Sequence, residues 1–128
     1  MAAGKYALLI EQGATLKLDL AYKDSNNAAI NLSGYSGKLQ IKNNYADSAT
    51  TTYLTLSSSL NADGTGINFS GSAGVLPPTS GTIGIVISAA SSSALTFDTA
   101  YYDLEITSGS VVTRLLQGTV QINKEVTR

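Results

Sequence analysis

The sequence contains no cysteine, no histidine and no tryptophan, and only two of its 128 residues are proline. Without cysteine the chain can form neither a disulfide framework nor a thiolate metal site. Without histidine it lacks the commonest general base and the commonest zinc ligand. No serine stands in a Gly-x-Ser-x-Gly or Ser-x-x-Lys context that would activate it as a nucleophile. We therefore expect a protein that is not an enzyme, with no catalytic residues, no metal and no cofactor.

Charge is also scarce, because only 13% of the residues are charged and the formal net charge is −1. The basic residues form no cluster, so we expect no nucleic-acid partner. Serine, threonine, asparagine and glycine replace the missing charges, and a neutral hydroxyl-rich surface costs little to desolvate. Such a composition suits a surface that neighbouring proteins partly cover. It equally fits an ordinary secreted or viral β-protein with Ser/Thr-rich strands.

Long apolar runs are missing as well. No stretch approaches the ~20 apolar residues of a membrane span, and we expect no membrane partner. The N-terminal run from Tyr6 to Ile10 is shorter than the ~7–15 residues of a signal-peptide core. We therefore expect a chain that is made in the cytoplasm and is not exported.

The clearest pattern that is present lies near the C-terminus. Tyr102, Leu104 and Ile106 alternate with polar residues, which is typical of a strand with one buried face. Ser108-Gly109 then predicts a tight turn, and residues 111–123 return as a second strand. Gly118 interrupts this second strand and predicts either a bulge or a close backbone approach.

Similar alternation predicts eight to ten short strands in all, separated by turn residues at intervals near ~8–12 residues. The most regular upstream example is residues 15–22, and Ile30–Leu32 is a weaker one. Residues 88–95 are the only candidate helix. We predict a single all-β domain over residues 1–128. Its predicted core contains Leu16, Leu18, Leu20, Leu39, Ile41, Phe69, Ile83, Ile85, Tyr102, Leu104, Ile106, Val120 and Ile122.

Few residues are candidates for chemistry. Asp103 and Glu105 project from one strand face, where alternating polar residues are ordinary, although a carboxylate pair is also what glycosidases use. Arg114 could bridge to either carboxylate across the hairpin or contact a partner. We interpret Asp24 and the segment 61–64 as Asx-type turns rather than calcium loops.

The tyrosines raise a separate possibility. Tyr53 and Tyr101 each stand beside an apolar strand residue, so one of each pair could face outward. An exposed tyrosine can serve as a platform for a sugar or a protein. The alternative is that these rings pack at strand ends or cover a second sheet.

Several motifs, mostly turns and strands, follow one another along nearly the whole chain. They are Glu11-Gln12-Gly13-Ala14-Thr15, Lys23-Asp24-Ser25, Ile30-Asn31-Leu32-Ser33-Gly34-Tyr35, Leu39-Gln40-Ile41-Lys42, Tyr102-Asp103-Leu104-Glu105-Ile106, Val112-Thr113-Arg114-Leu115-Leu116-Gln117-Gly118 and Val126-Thr127-Arg128. Their order resembles a family of small bacteriophage virion proteins, and in particular the N-terminal immunoglobulin-like domain of phage baseplate upper proteins.

The resemblance implies an immunoglobulin-like sandwich of two antiparallel sheets. It further implies a non-enzymatic virion component of the tail, baseplate or adaptor region, made in the host cytoplasm. Such a protein would contact other virion proteins and copies of itself in a symmetric homo-oligomer. Unlike the baseplate proteins, this sequence carries no fibre, coiled coil or receptor-binding tip. We therefore keep a capsid decoration or cement protein, a neck component and a carbohydrate-binding sandwich as alternatives.

Overall fold

The computed structural model describes residues 4–44 and 50–124, which form two β-sheets and very little helix. The residues of the last resemblance motif, 126–128, lie outside these ranges. The described part contains nine strands, within the eight to ten predicted, and the all-β expectation is confirmed. The strands are β1 (Gly4–Lys5), β2 (Leu8–Glu11), β3 (Leu16–Ala21), β4 (Ser36–Lys42), β5 (Thr52–Ser57), β6 (Gly66–Asn68), β7 (Thr82–Ile87), β8 (Thr99–Ser108) and β9 (Val111–Asn123).

The larger sheet has the order β5-β4-β8-β9, and both β1 and β2 pair with the outer side of β9. The smaller sheet has the order β3-β7-β6. Every pairing is antiparallel except those of β1 and β2, which run parallel to β9. The expectation of purely antiparallel sheets was therefore wrong at this edge. Strands joined by a tight turn must be antiparallel, but the two ends of the chain are under no such constraint.

The core lies between the two sheets and draws on both of them. Alternate residues of β4 and β8 are buried, as are alternate residues of β7, because a strand presents every second side chain to one face. The fully or nearly buried apolar residues form one cluster: Leu8, Ile10, Leu32, Leu39, Ile41, Leu56, Ile67, Ile83, Ile85, Ile87, Leu95, Phe97, Ala100, Tyr102, Leu104, Ile106, Val120 and Ile122.

Nine of the predicted core residues belong to this cluster. The other four, Leu16, Leu18, Leu20 and Phe69, pack against it but are only half-buried. The three leucines occupy successive inward positions of β3, so their shared exposure has a common cause. The described smaller sheet ends at β3, and no further strand covers the outer side of these side chains.

Gly118 of β9 lies beside Tyr6, in the short connection between β1 and β2. A Cβ atom on Gly118 would lie 2.3 Å from the carbonyl oxygen of Tyr6, so only glycine permits this approach. The predicted close backbone approach is confirmed. The bulge in β9 lies elsewhere, at Leu115, because Leu104 pairs with Leu116 while Glu105 pairs with Arg114.

Two other connections test the sequence predictions. Ile30–Leu32 forms no strand; the N–H of Leu32 donates to the carbonyl of Pro78 at 3.0 Å and its side chain is buried. The predicted helix is present as α1 (Ala89–Ser93), capped by the Ser88 hydroxyl, which accepts from the Ser91 N–H. A single 3₁₀ turn, Pro78–Ser80, precedes β7.

Candidate functional site

Asp103, Glu105 and Arg114 come together on the outer face of the β8–β9 hairpin. Arg114 Nε lies 3.5 Å from Asp103 Oδ2, and Arg114 Nη2 lies 3.9 Å from Glu105 Oε2. The bridge across the hairpin, one of the two possibilities for Arg114, is present, and it reaches both carboxylates. All three side chains are more than a third exposed, so this is a surface ion-pair network, a type that contributes little to stability.

Asp24 lies in an Asx-type turn, as predicted. Its Oδ1 accepts hydrogen bonds from the N–H groups of Asn26 at 2.9 Å and Ala28 at 3.0 Å. Asn27, between them, has a φ of 64°, a left-handed conformation that asparagine tolerates well. Backbone donors therefore occupy this carboxylate oxygen. Within residues 4–44 and 50–124, no three acidic side chains lie close enough together to hold a metal ion.

Asp63 also lies in an Asx-type turn, but it makes contacts that the sequence did not predict. Its Oδ1 accepts from the N–H of Thr65 at 3.0 Å. Its Oδ2 accepts from the hydroxyls of Ser88 at 2.6 Å and Ser91 at 3.1 Å. The carboxylate therefore fastens the loop before β6 to the first turn of α1. The Ser88 hydroxyl and then the Thr65 N–H lower the pKa of Asp63 to about 2.

A cavity of about 320 Å³ opens on the outer face of the smaller sheet, next to Asp63. Its lining includes Val86, the cation of Lys17 and the amide of Asn68. Among its lining residues, the Ser88 hydroxyl donates a hydrogen bond to the Asp63 carboxylate. None of the described residues that line this cavity is aromatic, so it offers no ring on which a sugar could stack.

The two tyrosines singled out from the sequence are placed differently. Tyr53 is the extra residue of a bulge in β5, because Ile41 pairs with Leu54 while Lys42 pairs with Thr52. Its ring stacks on Phe97 with the centroids 4.5 Å apart. Phe97 is buried, so one face of the Tyr53 ring is occupied. Tyr101 is half-buried on the face opposite to that of the buried Tyr102.

The buried Tyr102 side chain hydrogen-bonds the connection between β1 and β2. Its hydroxyl donates to the carbonyl oxygen of Tyr6 at 2.7 Å. Burial, and to a smaller extent the neighbouring Tyr6, raises the pKa of Tyr102 to about 12. The phenol is therefore a structural donor across the physiological range.

Several large apolar side chains of the described residues are exposed. Val111 and Val112, which open β9 beside the hairpin turn, are 65% and 58% exposed, and Leu9 on β2 is 54% exposed. Two more apolar residues, Val75 and Leu76, are exposed in the loop before the 3₁₀ turn. The adjacent valines are a signal that the sequence offered, since neighbouring strand residues cannot both face the core.

No model of a known protein family matches the chain, and a search of curated proteins finds no match. In the part of the chain that the structure describes, no helix has the length and apolar character needed to cross a bilayer.

Proposed function

We propose that this chain is a bacteriophage virion structural protein, a non-enzymatic module of the tail, baseplate or adaptor region that acts through protein–protein contacts. We also infer that its two sheets form an immunoglobulin-like sandwich. Strand order supports this inference. The smaller sheet, β3-β7-β6, corresponds to strands B, E and D of such a fold, and β5-β4-β8-β9 corresponds to C′, C, F and G.

The observation that carries the functional proposal is the combination of low charge with exposed apolar side chains. Isolated exposed apolar residues are ordinary on a protein surface. Here, however, Val111 and Val112 expose an apolar side chain on each face of one hairpin end, in a protein with few charged groups. When a neighbouring protein buries such a surface, few charged groups lose their bound water, so the free-energy cost of desolvation is small. Apolar burial would therefore supply most of the affinity, as in permanent assemblies.

The other candidate functions have less support. A glycosidase would need Asp103 and Glu105 to act as separate acid and base, but both face the same guanidinium group. A carbohydrate-binding module would need an open aromatic platform, but one face of Tyr53 stacks on Phe97 and Tyr101 is half-buried. Capsid decoration uses the same kind of protein–protein surface, and the position of the protein in the particle would distinguish it from a tail role.

Immunogold electron microscopy of phage particles tests the proposal. Antibodies would be raised against the purified chain and applied to particles purified from the source of the sequence. We expect gold at a fixed position on the tail or baseplate. Labelling over the capsid would support the decoration alternative instead. If the protein were absent from purified particles by both immunogold labelling and mass spectrometry, the virion proposal would be wrong.

A further inference from the structure

Strand β3 ends the smaller sheet, and the outward charges of Lys17 and Asp19 are the edge protection that it carries. In the described residues, β3 pairs with β7 on one side, and no strand pairs with its other side. Its three inward side chains, Leu16, Leu18 and Leu20, carry no charge and are half-buried. Natural edge strands often carry an inward charge, a proline or a bulge that blocks further pairing. None of these occurs between Leu16 and Ala21.

The backbone of β3 directs every second pair of hydrogen-bonding groups to this open side. The N–H of Tyr22 donates to the carbonyl of Gly81 at 2.8 Å, directly opposite in the register. Hydrogen-bonded residues alternate along an antiparallel pair. The even-numbered residues of β3 therefore bond to β7. Lys17, Asp19 and Ala21 point their N–H and C=O groups away from it, towards the open side.

We propose that a second copy of this chain docks on β3 by antiparallel strand pairing, with a two-fold axis through Leu18. The proposal rests on the assembly role inferred above and identifies one contact within it. In this register, Lys17 of one copy lies opposite Asp19 of the other, and Leu16 lies opposite Leu20. The two smaller sheets then form one continuous sheet of six strands across the dimer.

Charge selects this register over its neighbours. A shift of one residue would place the leucines of one copy on the wrong face. A shift of two residues in one direction would place Lys17 opposite Lys17, and a shift in the other direction would place Asp19 opposite Asp19. Only the register centred on Leu18 pairs the opposite charges, and the two-fold axis forms that pair twice.

Contacts within the protein hold the Asp19 carboxylate next to Ser72, which lies over Gly84 of β7. Its Oδ1 accepts from the N–H of Ser72 and its Oδ2 accepts from the Ser72 hydroxyl, both at 2.7 Å. The Ser72 hydroxyl is the main cause of a lowered pKa for Asp19, so the carboxylate is charged at neutral pH. Both Lys17 and Asp19 are exposed, so the long Lys17 side chain of one copy can extend to the Asp19 carboxylate of the other.

Sedimentation velocity on a pair of charge variants tests the contact. Lys17→Asp makes both charged positions of β3 acidic, and Asp19→Lys makes both basic. We expect a wild-type dimer whose population rises with concentration, and we expect each variant alone to dimerise at least about tenfold more weakly, because like charges lie opposite each other. A one-to-one mixture of the two variants should dimerise again, since each acidic position then faces a basic one.

Lys5→Asp is the matched control, because it makes the same charge change on an edge strand of the other sheet. It should dimerise like the wild type, and circular dichroism should show that all three variants are folded. A wild-type monomer at millimolar concentration would overturn the proposal. So would a dimer that ignores both β3 substitutions, or a mixture that fails to dimerise. These outcomes leave the virion role intact, because immunogold labelling decides that role separately.

Discussion

At the scale of single residues, Gly118 determines how closely the backbone of Tyr6, between β1 and β2, approaches β9. Gly118→Ala would place a methyl group against the Tyr6 carbonyl, which also accepts the hydrogen bond of Tyr102. We expect the substitution to lower the free energy of unfolding by about 1–3 kcal/mol, the usual cost of overpacking. Urea denaturation measures the loss.

Tyr102→Phe tests the hydrogen bond to the Tyr6 carbonyl separately from the steric contact with Gly118. It removes the hydroxyl and leaves the backbone contact unchanged, so it should cost less, about 1 kcal/mol. If Gly118→Ala unfolds at the wild-type urea concentration, the close approach of Tyr6 to Gly118 is not a feature of the protein in solution.

The hydrogen bonds to Asp63 predict how the stability of the protein depends on pH. Its pKa is lowered from 3.8 to about 2 in the folded protein, chiefly by the Ser88 hydroxyl. The ionised form is therefore favoured by folding. The resulting stabilisation is fully present above pH 4, and it is lost as the pH falls from about 4 to about 2. Asp63→Asn cannot ionise, so its melting temperature should fall less than that of the wild type across this window.

Ser88→Ala checks the cause of this pH dependence. Without the Ser88 hydroxyl, the pKa of Asp63 should rise, and NMR titration of its carboxyl group measures the change directly. An unchanged Asp63 titration in Ser88→Ala would show that another group lowers the pKa.

At the scale of elements, β8 is the strand on which the larger sheet depends. It pairs with β4 on one side and β9 on the other, and Leu104 at its centre is fully buried. Leu104→Asp places an unpaired charge in the core, so we expect the domain to lose its cooperative thermal unfolding transition. Leu9→Asp is the control: Leu9 is exposed on β2, and its substitution should change stability by less than about 0.5 kcal/mol. A wild-type melting curve for Leu104→Asp would contradict the core assignment.

Elements with strict alternation were predictable from the sequence, and elements defined by tertiary contacts were not. Alternation located β3, β4, β7, β8 and β9, because the period of two depends only on backbone geometry. It failed at Ile30–Leu32, where Leu32 enters the core from a connection bonded to Pro78. A buried leucine between polar residues shows the same local pattern whether it lies in a strand or in a connection between strands. The Asx turns at Asp24 and Asp63 were predictable, because their bonds span only two to four residues.

At the scale of the whole molecule, the position of a strand in its sheet decides how deeply its apolar side chains are buried. Leu18 in β3 and Leu39 in β4 show the same alternation, yet Leu39 is fully buried and Leu18 is not. The difference arises because β4 lies between two strands and β3 ends its sheet. The bonds from Asp63 to Ser88 and Ser91 were equally hidden from the sequence, since they cross 25 and 28 residues.

The parallel pairing of β1 and β2 with β9 has a mechanical consequence. Gly4 lies opposite Leu116 and Glu11 lies opposite Asn123, so Gly4 and Lys124 are separated along β9 by about 25 Å. A force that pulls these two residues apart acts along the strands and shears the ladder. Its hydrogen bonds then bear the load together instead of opening one after another from an end. A domain held at these two points would resist tension through the pairing of its first and last strands.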